Sequence, residues 1–148
     1  MGSPNLRLVR QTIRTHLLDS LPDDVTEAMI QPENRAFSVT PNSLYIRETQ
    51  QVYYEGARDL IQFEARGRTV FDIFVPANSG TEDAEDLAHK IYNAFEKKHG
   101  MSTEGITVGL DRVERRPGAE VDDGWWMNSI IIYWRTYADA TSPTAKTG

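Results

Sequence analysis

Large apolar side chains occupy both faces of one stretch near the carboxyl end, Trp125 to Tyr137. Read as a strand, it alternates: Trp126, Ile130, Ile132 and Trp134 fall on one face, and Trp125, Tyr133 and Tyr137 on the other. A strand of this kind cannot stand with one side in water. It must be covered by helices on one side and by something else on the other. Burial in the core is the plain reading of these aromatics. An oligomer interface is the sharper one, since aromatic residues anchor interfaces.

The remaining elements fit around that strand. Leu6, Val9, Ile13 and Leu17 repeat at helical spacing, widened by Leu18 and Leu21, with Asn5 placed to cap the start and Pro22-Asp23-Asp24 to stop it. Arg7, Arg10 and Arg14 lie off that stripe, on a face read as solvated, with an anionic partner as the alternative. Val25 to Ile30 is compatible with a short strand and Arg35 to Asn42 with an ordered loop. Ser43 to Tyr54 reads as one long strand, straight or bulged, followed by turn residues Glu55 to Asp59. Two further strands, Leu60 to Ala65 and Arg68 to Val75, are expected on either side of Arg66-Gly67. In the second, Phe71, Ile73 and Val75 make the core face, opposite Val70, Asp72 and Phe74.

Local signals agree best for a helix after Pro76 to Gly80. Ser79 with Glu82 has capping-box spacing, Thr81 is a competing N-cap, and Glu82, Asp83, Glu85 and Asp86 suit the positive end of the helix dipole. Ala84, Leu87, Ala88, Ile91, Ala94 and Phe95 form its apolar stripe, and Lys97, Lys98, His99 and Gly100 its end. Met101 to Gly105 then reads as a connector and Ile106 to Val113 as a strand. Glu114 to Gly124 reads as a loose loop with turns at Pro117-Gly118 and Asp122-Asp123-Gly124. The order predicts an α+β fold: a mainly antiparallel or mixed sheet with two helices packed on one side. Residues 1–137 are expected to form one domain and 138–148 a flexible tail.

Composition narrows the function classes. With 148 residues, 39% hydrophobic and 26% charged, the chain is long enough to bury about 70% of its unfolded surface without a metal or disulfide. Twenty-two acidic against sixteen basic residues give a net charge of −6, unsuited to gripping nucleic acid through phosphate neutralisation. The absence of cysteine excludes a thiol nucleophile, a disulfide scaffold and a zinc ribbon. The longest apolar run, Ile130 to Trp134, is far short of the roughly 20 residues a bilayer requires. A soluble intracellular protein without membrane contact is the expectation.

No nucleophile elbow, phosphate loop, dinucleotide fingerprint or His-Glu-x-x-His motif occurs. Glu85 and His89 stand one turn apart, but two ligands without a third read as an i,i+4 surface pair. Asp23-Asp24 and Asp122-Asp123 lie in turns, where Asp serves the backbone. No catalytic residue, cofactor site or metal site is assigned.

Taken in order, several segments resemble the tail terminator, or tail completion, proteins of long-tailed bacteriophages. They are the amino-terminal helix, Pro32 to Phe37 leading into Ser43-Leu44-Tyr45-Ile46-Arg47, Gly67 to Pro76 with Ala77-Asn78-Ser79-Gly80, the helix carrying Ala84, Leu87, Ala88 and Phe95, and Asp123-Gly124-Trp125-Trp126 opening a strand that ends Tyr133-Trp134-Arg135. The likeness spans roughly Leu6 to Ala138 and fits least well over Gly56 to Arg66. It implies a non-enzymatic virion protein of that family's fold, assembled in the host cytoplasm. Six copies would form a ring on the head-proximal end of the tail, meeting tail-tube protein on one face and head completion or neck protein on the other. DNA would pass through the ring without specific binding. Arg35, Arg115, Arg116, Trp125 and Trp126 are the residues guessed to make interfaces. A head–tail joining neck protein is the nearest alternative, and a small cytoplasmic enzyme or ligand-binding domain the more distant one.

Overall fold

A computed structural model describes residues 5–32, 43–57, 62–79, 82–103, 106–121 and 124–139. Helix α1 (Leu6–Ser20) starts at Asn5, whose side chain accepts a hydrogen bond from the Arg7 amide at 3.0 Å. It buries Leu8, Val9, Thr12, Ile13 and Leu17, so the expected stripe is present and slightly wider. Where a strand was expected at Val25 to Ile30, a short 3-10 turn (Glu27–Met29) precedes a two-residue strand, β1 (Ile30–Gln31). Strand β2 (Tyr45–Ala57) carries a bulge between Val52 and Tyr54, and runs through Glu55, Gly56 and Ala57, which were read as a turn. The expected loop at Arg35 to Asn42 lies outside the described residues.

Strand β3 (Gln62–Pro76) is continuous through Arg66-Gly67, so the predicted break does not exist. Gly67 pairs with Val52 on one side and Trp134 on the other. A Cβ there would run into the Gln51 carbonyl oxygen and come within 2.6 Å of the Trp134 ring. Glycine is thus a packing requirement at this position and not a turn signal. Helix α2 (Glu82–Glu96) buries Ala84, Leu87, Ala88, Ile91 and Phe95, with Glu82, Asp83 and Glu85 in its first turn. It stops at Glu96, before Lys97, and Gly100 opens β4 (Gly100–Thr103) where a connector was expected.

Strand β5 (Ile106–Val121) replaces the predicted loop from Glu114 onward, with bulges between Leu110 and Arg112 and between Arg116 and Ala119. The second bulge accommodates Pro117-Gly118, since proline cannot donate to a ladder. Strand β6 (Trp125–Asp139) continues past the expected end at Tyr137.

The six strands form one mixed sheet in the order β1-β2-β3-β6-β5-β4, with β1 parallel to β2 and every other neighbouring pair antiparallel. Both helices pack on one face, as the sequence pattern implies. There Phe71, Ile73, Val75, Ile130, Ile132 and Trp134 meet the buried stripes of α1 and α2 in one hydrophobic cluster. Helix α2 lies along β3, β6 and β5, while α1 packs on α2, β4 and β5. The helices also meet through His16, whose Nε2 lies 3.0 Å from the Ala94 carbonyl oxygen and whose ring stands edge-on to Phe95 at 4.7 Å.

The arginine face of α1 is not simply solvated. Arg14 makes a two-pronged bond to Glu48 of β2, Nε to Oε1 at 2.9 Å and Nη2 to Oε2 at 2.8 Å, and Arg10 stands 3.8 Å from the same carboxylate. Glu48 is only 1% exposed. Hydrogen bonding to Glu48 outweighs burial and raises the Arg14 guanidinium above its ordinary pKa. Helix α1 therefore touches β4 and β5 at one margin of the curled sheet and is tied to β2 at the other.

Candidate interaction surface

The helices leave the other sheet face uncovered among the described residues. Its composition follows from alternation: the even positions of β3 (Glu64, Arg66, Arg68, Val70, Asp72, Phe74) line up with Tyr137, Arg135, Tyr133, Ile131, Ser129 and Met127 of β6. Three tiers can be distinguished along the strands.

At the Trp125 end the tier is aromatic. Tyr45 stacks on Phe74 with ring centroids 4.7 Å apart, Trp125 meets Tyr45 edge-on at 5.2 Å, and the Arg47 guanidinium sits 5.0 Å from the Phe74 ring. Partial burial in this stack, opposed by the charge of Arg47, raises the Tyr45 hydroxyl pKa. Next to it Asp72, 7% exposed, accepts from Ser129 Oγ at 2.6 Å and from Arg47 at 2.9 and 3.2 Å. Arg116 stands across the β5–β6 ladder from that Ser129. The far tier is richer in tethered arginines: Arg112 lies 4.2 Å over Tyr133, Arg68 donates to Gln51 at 2.6 Å, and Arg135 pairs with Asp111 at 2.9 Å. This face therefore combines cations with carboxylates and rings that hold them in place.

The guessed interface residues separate in space. Trp125 and Arg116 belong to the uncovered face, whereas Trp126 and Arg115 turn to the helix face. Arg115 donates to the Glu85 carbonyl oxygen at 3.1 Å, and Trp126 packs on the core. Arg35 lies outside the described residues. Sequence reasoning missed Tyr45, Arg47, Asp72 and Phe74 as parts of this face. The available signal was the Val70-Asp72-Phe74 alternation, set aside as the less apolar side of its strand.

Behind this face, at the β5 bulge, the indole Nε1 of Trp126 and both amide atoms of Asn128 are buried without a hydrogen-bond partner. Gly118 packs so closely on them that a Cβ there would overlap Asn128 Oδ1 and Trp126 Nε1. Gly118→Ala is expected to cost about 1–3 kcal/mol, the usual penalty of overpacking. Urea unfolding would check it, and an unchanged midpoint would mean that the bulge can shift freely.

His89 meets the Asn93 side chain at 3.0 Å, and among the described residues no group of three or more His, Asp or Glu side chains could hold a metal ion. Among the same residues no helix is long and apolar enough to cross a membrane.

Comparison with known proteins places this fold. One solved chain is 19% identical, with a TM-score of 0.67 over 89% of this chain and 95% of its own length. A second, from a structure titled as the virion of a native gene transfer agent particle, is 15% identical, with a TM-score of 0.59 over 88% of this chain and 95% of its own. No curated protein matches by sequence. At these identities the two structures speak for the fold alone. A family model described as phage tail terminator protein matches residues 9–134, nearly the whole described chain. The chain belongs to the phage tail terminator family, and is a structural component of the phage tail and virion.

Proposed function

We propose that six copies of this chain form a ring on the head-proximal end of the tail tube, stop its growth and offer the surface to which the head joins. The family match over residues 9–134 carries this reading. A tube grows because each ring leaves the same docking surface for the next, and a heterologous contact that does not close has no intrinsic end. A terminator ends growth when one of its faces mimics the next tube ring and its opposite face cannot accept another. The work is done by shape and charge, without a catalysed step, and residues 1–137 act in it as one unit. DNA passes through without being gripped, which suits a chain of net charge −6.

Within this reading the contact residues to test are Arg116 and Trp125 on the uncovered sheet face, Arg115 and Trp126 near the β5 bulge, and Arg35. Assembly would take place in the host cytoplasm, from free subunits. Electron microscopy of lysates from a phage lacking this gene is expected to show DNA-filled heads beside unjoined tails that overgrow their normal length. Tails of normal length on heads would exclude the terminator role. Normal-length tails left unjoined would favour a neck protein.

A further inference from the structure

Helix α2 carries different surfaces on its two flanks. On the β2 side it borders a groove of about 330 Å³, whose apolar floor combines Val25 from the segment after α1, Leu44 before β2 and Leu87 of α2. Asp24, Asp83 and Asp86 stand exposed around that floor, with one lysine, Lys90, on the same rim. Among the described residues none of these three carboxylates forms an ion pair, and no three acids converge closely enough to hold a metal ion. Separate anionic groups around an apolar floor suit a cationic side chain carried on a short apolar stretch. On the other flank α2 meets β5, where Arg115 donates to the Glu85 carbonyl oxygen. Arg115, Arg116 and Pro117 are exposed there in succession, at the bulge between Arg116 and Ala119.

We infer that in the ring the Arg115-Arg116-Pro117 bulge of one copy seats in the Asp24, Asp83 and Asp86 groove of the next. This rests on the ring reading above and names its contact. The two surfaces complement each other in charge, two adjacent arginines beside a proline against three carboxylates around apolar side chains. They also lie apart on the subunit: the groove is on the β2 side of α2, and the bulge is on β5, three places along the sheet from β2. A contact between them joins two different patches, and such a heterologous contact closes into a ring when repeated with the right rotation. Arg115 reaches α2 itself, so bulge and groove both belong to the helix side of the sheet and one copy need not be turned over to meet the next. A second copy suits the groove better than an unrelated basic chain, because each subunit brings one bulge and one groove and a closed ring fills every one.

Charge exchange tests this contact. Arg115→Glu/Arg116→Glu reverses the bulge and Asp83→Lys/Asp86→Lys reverses the groove, and all four positions are exposed. Each variant is added to purified tail tubes from a phage lacking the gene, and ring-capped tubes are counted in negative stain. Alone, either variant sets like charges against each other at every contact and is expected to cap fewer tubes than the unaltered protein by about tenfold or more. In an equal mixture, opposite charges meet again wherever the two variants alternate. A ring of six can alternate throughout, so capping is expected to return. If a variant lowers the unfolding midpoint, Arg116→Glu alone or Asp24→Lys/Asp86→Lys takes its place. Full capping by each variant alone would overturn the contact and leave the ring standing. Folded variants that fail alone and fail again when mixed would overturn it in favour of contacts to tube protein. No ring of the unaltered protein on tubes would overturn both.

Discussion

Arg14→Met is expected to lower unfolding free energy by at most about 3–5 kcal/mol, because it takes away the guanidinium that satisfies both oxygens of the buried Glu48 carboxylate and leaves only the longer Arg10 contact at 3.8 Å. The cost is asymmetric. The Arg14 side chain is 21% exposed and reaches water when its partner is removed, so Glu48→Gln should cost less. The double variant Arg14→Met/Glu48→Leu replaces the pair by apolar groups of similar volume and is expected to recover most of the loss. Urea denaturation of the three variants measures this directly. A loss under about 1 kcal/mol for Arg14→Met would show the pair behaving as a surface ion pair. Since this bond ties α1 to the β2 margin, its removal should also raise hydrogen exchange in β2 around Ile46 and Glu48 more than in β6.

Trp134→Ala is expected to cost a similar amount, about 3–5 kcal/mol, the range for truncating a large buried aromatic. The side chain is fully buried, its Nε1 donates to Thr69 Oγ1 at 3.1 Å, and its ring lies over Gly67. The cavity would open between two central strands that are each paired on both sides, so little can collapse into it. Gly67→Ala attacks the same contact from the other side. Its Cβ meets the β2 backbone at the Gln51 carbonyl as well as the ring, and backbone held in a ladder cannot swing away as a side-chain end can. Thermal unfolding should therefore rank Trp134→Ala and Gly67→Ala well below the unaltered protein. A Gly67→Ala protein of unchanged melting temperature would mean that the strands are less tightly held than this geometry requires.

Local rules were enough wherever the determining residues are close in the chain. The α1 stripe, the Asn5 cap, the α2 stripe with its acidic first turn, and the alternation of β3 and β6 all follow from residues a few positions apart. The helix-on-sheet arrangement follows from those faces, because each must be buried against another. The family resemblance read from the order of segments agrees with the family that the chain belongs to.

Non-local pairing decided the rest. Arg66-Gly67 and Pro117-Gly118 carry the local chemistry of turns, yet both lie inside long strands, because the neighbouring strands supply ladder bonds on either side of them. Met101 to Thr103 became a strand only because β5 offers an edge. The pair Arg14–Glu48 joins residues 34 positions apart, and nothing near either one announces the other. The same holds for the uncovered face, where Tyr45, Phe74 and Trp125 come from three strands. By itself the sequence determined which residues must be buried and which segments have a helical or alternating face. Only the tertiary structure decided where strands continue and which charges meet. Those outcomes depend on free energies shared between segments far apart in the chain, and no local pattern contains them.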